Sequence, residues 1–197
     1  VCLWSYSYGA AGIQDATDIA VQADGTVFIT GYFNGSFSAG GATLSSVGNY
    51  DIFVASYTNT GAHRWSFSLG STQGERGRLI ALNGDQHVLI AGTFGQSMDF
   101  GTGTLAPAGA EDVYIASYST ADGQPLWSTR LGGTSNDSVE AIQVNPSGGV
   151  HVCGNYSGTV DFGDAQRTSQ GDTDVFVAAY ETATGAPLAS RSYGDTG

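Results

Sequence analysis

Three aspartates, each at the first position of a nearly identical apolar stretch, are the side chains whose spacing best fits a chemical role. Asp51 begins DIFVASY, Asp112 begins DVYIASY and Asp174 begins DVFVAAY. Such carboxylates could be metal ligands or catalytic acids, or they could accept hydrogen bonds from backbone N–H groups of the preceding loop. A catalytic acid is needed once per molecule, whereas these aspartates recur in every copy. The pattern therefore favours the structural role.

A second set of acidic residues lies where one repeated unit passes into the next. The segments read GIQDATD at 12–18, GERGRL at 74–79 and SNDSVE at 135–140. Carboxylate oxygens are ligands that Ca²⁺ prefers. The calcium candidates are Asp15, Asp18, Asp137 and Glu140. Their spacing matches no EF-hand loop, and the second segment carries Arg76 and Arg78 instead. We therefore expect no cofactor, with calcium as the alternative.

Other catalytic patterns are missing from the sequence. The three histidines, His63, His87 and His151, stand at non-equivalent points, and neither HExxH nor G-x-S-x-G occurs. Cys2 and Cys153 are too few for a disulfide framework or a metal-ligand cluster, and Cys153 ends the apolar stretch VHVCG. We predict no catalytic and no cofactor-binding residue, and we expect Cys153 to behave as a small apolar side chain.

The charge balance excludes whole classes of partner. Eighteen acidic residues face six basic ones, all arginine, which gives the 197-residue chain a net charge of −12. Such a chain repels phosphate backbones and anionic membranes, so nucleic acid is not an expected partner. No apolar run approaches the ~20 residues that span a bilayer. The hydrophobic fraction of 41% is enough for a sizeable core.

The chain consists of tandem repeats. Trp4, Trp65 and Trp127 are 61 and 62 residues apart, and Ala189 stands 62 residues further on. Gly31, Gly92 and Gly154 repeat the same spacing. Three tandem copies are therefore predicted. The predicted units are a last strand of a preceding blade at 1–9 and blades at 10–70, 71–132 and 133–197.

Each copy contains four strand candidates and no helical period. In the first copy they are DIAVQ, TVFITGYF, DIFVASY and RWSFSLG. DIFVASY is apolar on both alternations, as in a strand that is covered on both faces. Four antiparallel strands per copy predict an all-β fold of β-propeller blades, with one extra N-terminal strand, CLWSYSYG, at 2–9. A β-solenoid is the competing fold, but its coils repeat about every 20 to 30 residues.

These repeats carry a resemblance. GYFNGSFSAGG before DIFVASY, GTFGQSMDFG before DVYIASY and GNYSGTVDFG before DVFVAAY resemble the bacterial β-propeller repeat family abbreviated SBBP. TGAHRW and DGQPLW resemble the turn-then-Trp signature of quinoprotein-like propellers, whose Trp docks between neighbouring blades. The resemblance implies a propeller fold and a bacterial, secreted, periplasmic or surface location, but no activity. We expect Trp65 and Trp127 to be buried between copies, with a weaker contact at Ala189.

Three functions fit this reading. The first is a non-catalytic extracellular scaffold or interaction module, whose partner is another protein, further blades or a second copy. The second is a carbohydrate-binding propeller with one site per blade, which needs equivalent exposed aromatic residues. The third is a hydrolase or lyase with converging carboxylates over a central channel. Variation between copies at the blade junctions favours the first function over the second.

Overall fold

All regular elements are β-strands in the computed structural model, which describes residues 4–84 and 86–196. None of the described residues belongs to a helix that could cross a membrane. The predicted all-β class is therefore confirmed. Cys2 lies outside the described residues, and Cys153 is a partly buried free cysteine.

The described residues form eighteen strands, six in each repeat. The first repeat holds β1 (Gln14–Val21), β2 (Val27–Phe33), β3 (Ser36–Ser38), β4 (Thr43–Ser45), β5 (Asp51–Tyr57) and β6 (His63–Leu69). The second holds β7 (Arg76–Asn83), β8 (His87–Phe94), β9 (Met98–Asp99), β10 (Thr104–Leu105), β11 (Asp112–Ser119) and β12 (Pro125–Gly133). The third holds β13 (Ser138–Val144), β14 (Gly149–Tyr156), β15 (Thr159–Asp161), β16 (Gln166–Thr168), β17 (Asp174–Glu181) and β18 (Pro187–Tyr193).

The long strands of each repeat form one four-stranded antiparallel sheet. The strand orders are β1-β2-β5-β6, β7-β8-β11-β12 and β13-β14-β17-β18. A two-stranded hairpin, β3–β4, β9–β10 or β15–β16, is inserted between the second and third long strands of each sheet. The third hairpin also pairs with the end of β12, so it joins the third repeat to the second sheet. The sequence analysis did not predict these hairpins.

Apolar side chains hold consecutive sheets together face to face. Ile52 and Val54 of β5 lie in one cluster with Ile80 and Ile90 of the second sheet. The opposite face of the second sheet, including Val113 and Ile115, packs in another cluster with Val152 and Phe176. Strands β5 and β11 are therefore buried on both faces, as the unbroken apolar run of DIFVASY predicts. The equivalent β17 of the third sheet is buried on one face only.

The repeated tryptophans join each repeat to the next. Each indole N–H donates to a backbone carbonyl 55 residues further along the chain. The pairs are Trp4 with Asn59 (2.9 Å), Trp65 with Thr120 (3.2 Å) and Trp127 with Thr182 (2.8 Å). Trp127 is buried and Trp65 is partly buried against the neighbouring cluster. The predicted burial is confirmed for Trp127, whereas Trp65 keeps part of its surface exposed.

The predicted N-terminal strand is wrong for the residues that the structure describes. Residues 4–13 belong to no strand, because no described neighbour offers them a ladder of backbone hydrogen bonds. Aromatic rings hold the segment on the first sheet instead. Ring centroids are 5.9 Å apart for Trp4 and Tyr6, 6.1 Å for Tyr6 and Tyr8, and 5.8 Å for Tyr8 and Tyr57.

Candidate functional site

The three repeated aspartates tie loops to strands. Each is buried and accepts backbone N–H bonds from residues three or four positions earlier. The donors are Val47 (3.0 Å) and Gly48 (3.3 Å) for Asp51, Ala108 (2.8 Å) and Gly109 (3.2 Å) for Asp112, and Gln170 (3.0 Å) for Asp174. Arg130 pairs with Asp112 at 2.7 Å, and burial raises the pKa of Asp51. The structural interpretation of these aspartates is confirmed.

A β-bulge interrupts the first strand of every sheet. The pairing register shifts between Ala16 and Asp18 in β1, between Gly77 and Leu79 in β7, and between Val139 and Ala141 in β13. The extra residues are Thr17, Arg78 and Glu140. A bulge redirects the side chain of its extra residue, and bulges are frequent beside functional sites.

The three bulge residues line one cleft. Strand β7 lies between β1 and β13 and contacts both, so the bulges come together although they are far apart in sequence. The cleft has a volume of about 320 Å³ and is also lined by Asp15, Tyr32 and Arg76. We call it the bulge cleft. It brings polar and charged side chains of all three repeats together, and so it is the candidate site.

Arg76, which lines the bulge cleft, lies over two aromatic rings. Its guanidinium carbon lies 5.4 Å from the ring centroid of Tyr32 and 5.6 Å from that of Tyr50, within the range of a cation–π contact. The two rings meet edge to face with centroids 5.4 Å apart. Tyr32 donates to the Asp15 carboxylate at 2.7 Å, and this hydrogen bond raises the pKa of Tyr32.

The calcium candidates are only partly brought together. Asp15 and Glu140 line the bulge cleft, but Asp18 accepts the backbone N–H of Ile80 at 2.9 Å. Asp137 is buried and accepts the N–H groups of Gly133 (2.9 Å) and Ser157 (3.2 Å). In the part of the chain that the structure describes, no group of three or more His, Cys, Asp or Glu side chains could hold a metal ion. The expectation of no cofactor, with calcium as the alternative, stays a prediction.

A side-chain acceptor stands at the first position of β1 and immediately before β7 and β13, and the sequence analysis missed this role. Gln14, Glu75 and Asp137 occupy one repeat position, and each accepts the backbone N–H of the residue four positions earlier. Glu75 accepts from the Ser71 N–H at 2.8 Å and from the Ser71 hydroxyl. Burial raises the pKa of Glu75 and of Asp137. The repeat spacing of these three residues could have indicated a shared role. It was missed because one residue is an amide and the other two are carboxylic acids.

The outer face of the third sheet is apolar and exposed. Val175 is 46% exposed and Val177 39%, whereas their equivalents in the second sheet, Val113 and Ile115, are fully buried. Tyr193, which pairs with Val175, is exposed as well, whereas its equivalent Leu131 is buried. We call these three exposed residues the terminal face. It has the composition of a sheet interface, and none of the described residues covers it.

Comparison with known proteins gives no family. No protein-family model matches the chain, and no curated protein matches it. Among solved structures, the crystal structure of BamB from Moraxella catarrhalis is similar at a TM-score of 0.25 and 16% sequence identity, over 92% of this chain and 78% of that one. A TM-score this low supports no conclusion about fold or function.

Proposed function

We propose that the chain is a segment of a β-propeller that serves as a non-catalytic scaffold or protein-interaction module. The observation that carries this proposal is the exposure of Val175 and Val177 at positions where the equivalent Val113 and Ile115 are fully buried. Apolar side chains at these repeat-equivalent positions can pack against another sheet. The terminal face is therefore a docking surface for a further four-stranded sheet or a partner protein.

The arrangement of the sheets supports the propeller. The first strands β1, β7 and β13 contact one another in sequence, as strands nearest a common axis do. Each indole reaches the turn of the following repeat, and Trp4 makes the same kind of contact as Trp65. We therefore assign blades to 10–70, 71–132 and 133–197. The number of blades and the closure of the ring belong to the same proposal.

The two alternatives, a carbohydrate-binding propeller and a hydrolase or lyase, have less support. Equivalent exposed rings would be needed to stack on sugars, but Trp127, Tyr118 and Tyr180 are buried. The bulge cleft contains two carboxylates, Asp15 of β1 and Glu140 of β13. Strand β7 lies between these two strands and contributes two arginines to the cleft. An extracellular, periplasmic or cell-surface location follows from the repeat resemblance alone and stays a prediction.

Association of the chain in solution tests the proposal. We expect its mass in analytical ultracentrifugation to rise with concentration, because the exposed terminal face gains free energy when covered. Replacing Val175 and Val177 together with Glu should leave a folded monomer. A matched control places Glu at the exposed positions Gln166 and Thr168 of β16 and should associate like the parent chain.

Two outcomes would contradict the interface. One is a parent chain that stays monomeric at every concentration. The other is an association that survives the double substitution at Val175 and Val177 but is lost in the Gln166 and Thr168 control. Either result would show that the terminal face is not the surface that docks.

A further inference from the structure

Two of the six arginines have guanidinium groups with no acceptor among the described residues. The guanidinium groups of Arg76 and Arg78 donate no hydrogen bond to a described residue and form no ion pair with one. The Nε of Arg78 is buried without a partner. The other four donate to oxygen atoms. The pairs are Arg64 with Ser56, Arg130 with Asp112, Arg167 with Ser190, and Arg191 with the Ser190 carbonyl. Arg76 and Arg78 are therefore the exceptions. Arg76 is exposed, so water satisfies its donors, whereas the buried Nε of Arg78 without an acceptor is costly and calls for an explanation.

Both exceptions lie on β7 and line the bulge cleft. The rings of Tyr32 and Tyr50 contact the guanidinium of Arg76, which restricts its orientation while its N–H groups stay available. The bulge places Arg78 beside it in the same cleft. An arginine whose position is already restricted loses less conformational entropy when it binds an acceptor.

We propose that the bulge cleft binds a small organic monocarboxylate through Arg76 and Arg78. A guanidinium presents paired N–H groups in a plane, and the two oxygens of a carboxylate match that geometry. The volume of about 320 Å³ admits a small ligand. This site is separate from the terminal face and does not depend on the proposed interaction function.

The flanking acids select against more highly charged anions. Asp15 comes from β1 and Glu140 from β13, on either side of the arginines of β7. The four charges of the cleft sum to zero, so a bound monocarboxylate leaves the cleft with one excess negative charge and a dianion leaves two, in a chain whose net charge is already −12. A single carboxylate gains the arginine contacts at a smaller cost. Inorganic phosphate is therefore the discriminating competitor.

An NMR titration of the full 197-residue chain tests the site. Sodium acetate is the probe, acetamide is the neutral control of the same shape, and phosphate is compared at equal ionic strength. We expect acetate to give saturable shifts of the amide signals of Arg76 to Leu79, acetamide to give none, and phosphate to bind more weakly. Arg76→Gln should weaken acetate binding about tenfold or more, because hydrogen bonds to charged groups are strong.

Variants separate this site from general charge effects. Arg78→Gln and the double variant should lose the saturable acetate shifts while keeping the circular dichroism spectrum and melting temperature of a folded chain. Arg191→Gln removes the same charge from the third sheet and should bind acetate like the parent. Three results would each overturn the proposal: equal shifts with acetamide, tighter binding of phosphate, or acetate shifts that persist in the folded Arg76→Gln/Arg78→Gln variant.

Discussion

The indole N–H of Trp127 donates a 2.8 Å hydrogen bond to the carbonyl oxygen of Thr182, in the turn between β17 and β18 of the next repeat. The ring also packs under the turn that follows Thr182, where Gly185 has a φ of +71° and a Cβ would lie 2.5 Å from the Trp127 ring. Trp65 and Gly123 repeat this arrangement one sheet earlier. One side chain therefore fixes the neighbouring sheet through both apolar contact and a hydrogen bond.

Removal of this ring should be among the most destabilising single changes. We expect Trp127→Ala to lower the free energy of unfolding by about 3 to 5 kcal/mol, because it leaves a cavity between sheets. Trp127→Phe should lose more than the ~1 kcal/mol of a hydrogen bond alone, since it also shrinks the ring. Urea unfolding measures both. Trp65→Ala is the comparison and should cost less, because Trp65 is only partly buried; an equal or larger loss there would contradict the argument.

The glycine turn over the Trp127 indole gives a second prediction. Here the backbone strain of a positive φ can be separated from the steric contact between an added Cβ and the ring. Gly84→Ala should cost about 1 kcal/mol, because Gly84 has a φ of +55° but nothing within 4 Å of a Cβ. Gly185→Ala combines a positive φ with the Trp127 contact, so we expect a clearly larger loss in thermal or urea unfolding. Equal losses for the two variants would mean that the indole moves aside freely.

The repeated aspartates should differ in cost according to the bonds that each one accepts. Asp112→Ala leaves two backbone N–H groups without their acceptor and breaks the ion pair with Arg130, so we expect a loss of about 3 to 5 kcal/mol, chiefly from the unsatisfied N–H groups. Asp174→Ala removes the bond from Gln170 and should cost about 1 to 3 kcal/mol. The free energies of unfolding in urea decide the order, and the reverse order would show that the ion pair contributes little.

Sequence reasoning succeeded where one repeat position carries one physical role. The aspartates at 51, 112 and 174 and the tryptophans at 65 and 127 keep their residue types and their contacts, so spacing alone located them. The bulge cleft was not predicted, because Thr17, Arg78 and Glu140 share a position but no chemistry. Their meeting depends on stacking of the first strands, which a single sequence does not display.

Two further misses have local causes. The inserted hairpins consist of strands of two or three residues, which are too short to show an alternating pattern. The segment at 4–9 has the residue pattern of a last strand, but a strand also requires a hydrogen-bonding neighbour. In both cases the sequence indicates side-chain preference for a strand. Whether a strand forms depends on a neighbouring backbone segment that can pair with it.

The last prediction concerns Glu75, whose pKa is raised above its ordinary value of 4.5, chiefly by burial. A carboxyl group with a raised folded-state pKa contributes stability that is fully present below the unfolded-state pKa and is lost as pH rises through the folded-state pKa. Gln does not titrate and keeps an acceptor, as Gln14 does when it accepts the Ala10 N–H at 3.0 Å. Glu75→Gln should therefore gain stability relative to the parent as pH rises from about 4.5. Urea unfolding at several pH values gives this difference.

Asp122→Asn is the opposite control, because hydrogen bonds from Ser119 and Gln124 lower the pKa of Asp122. The stability of this variant relative to the parent should fall as pH rises through the titration of the Asp122 carboxyl. A pH-independent difference for Glu75→Gln, with the control behaving as expected, would show that burial does not perturb this carboxyl.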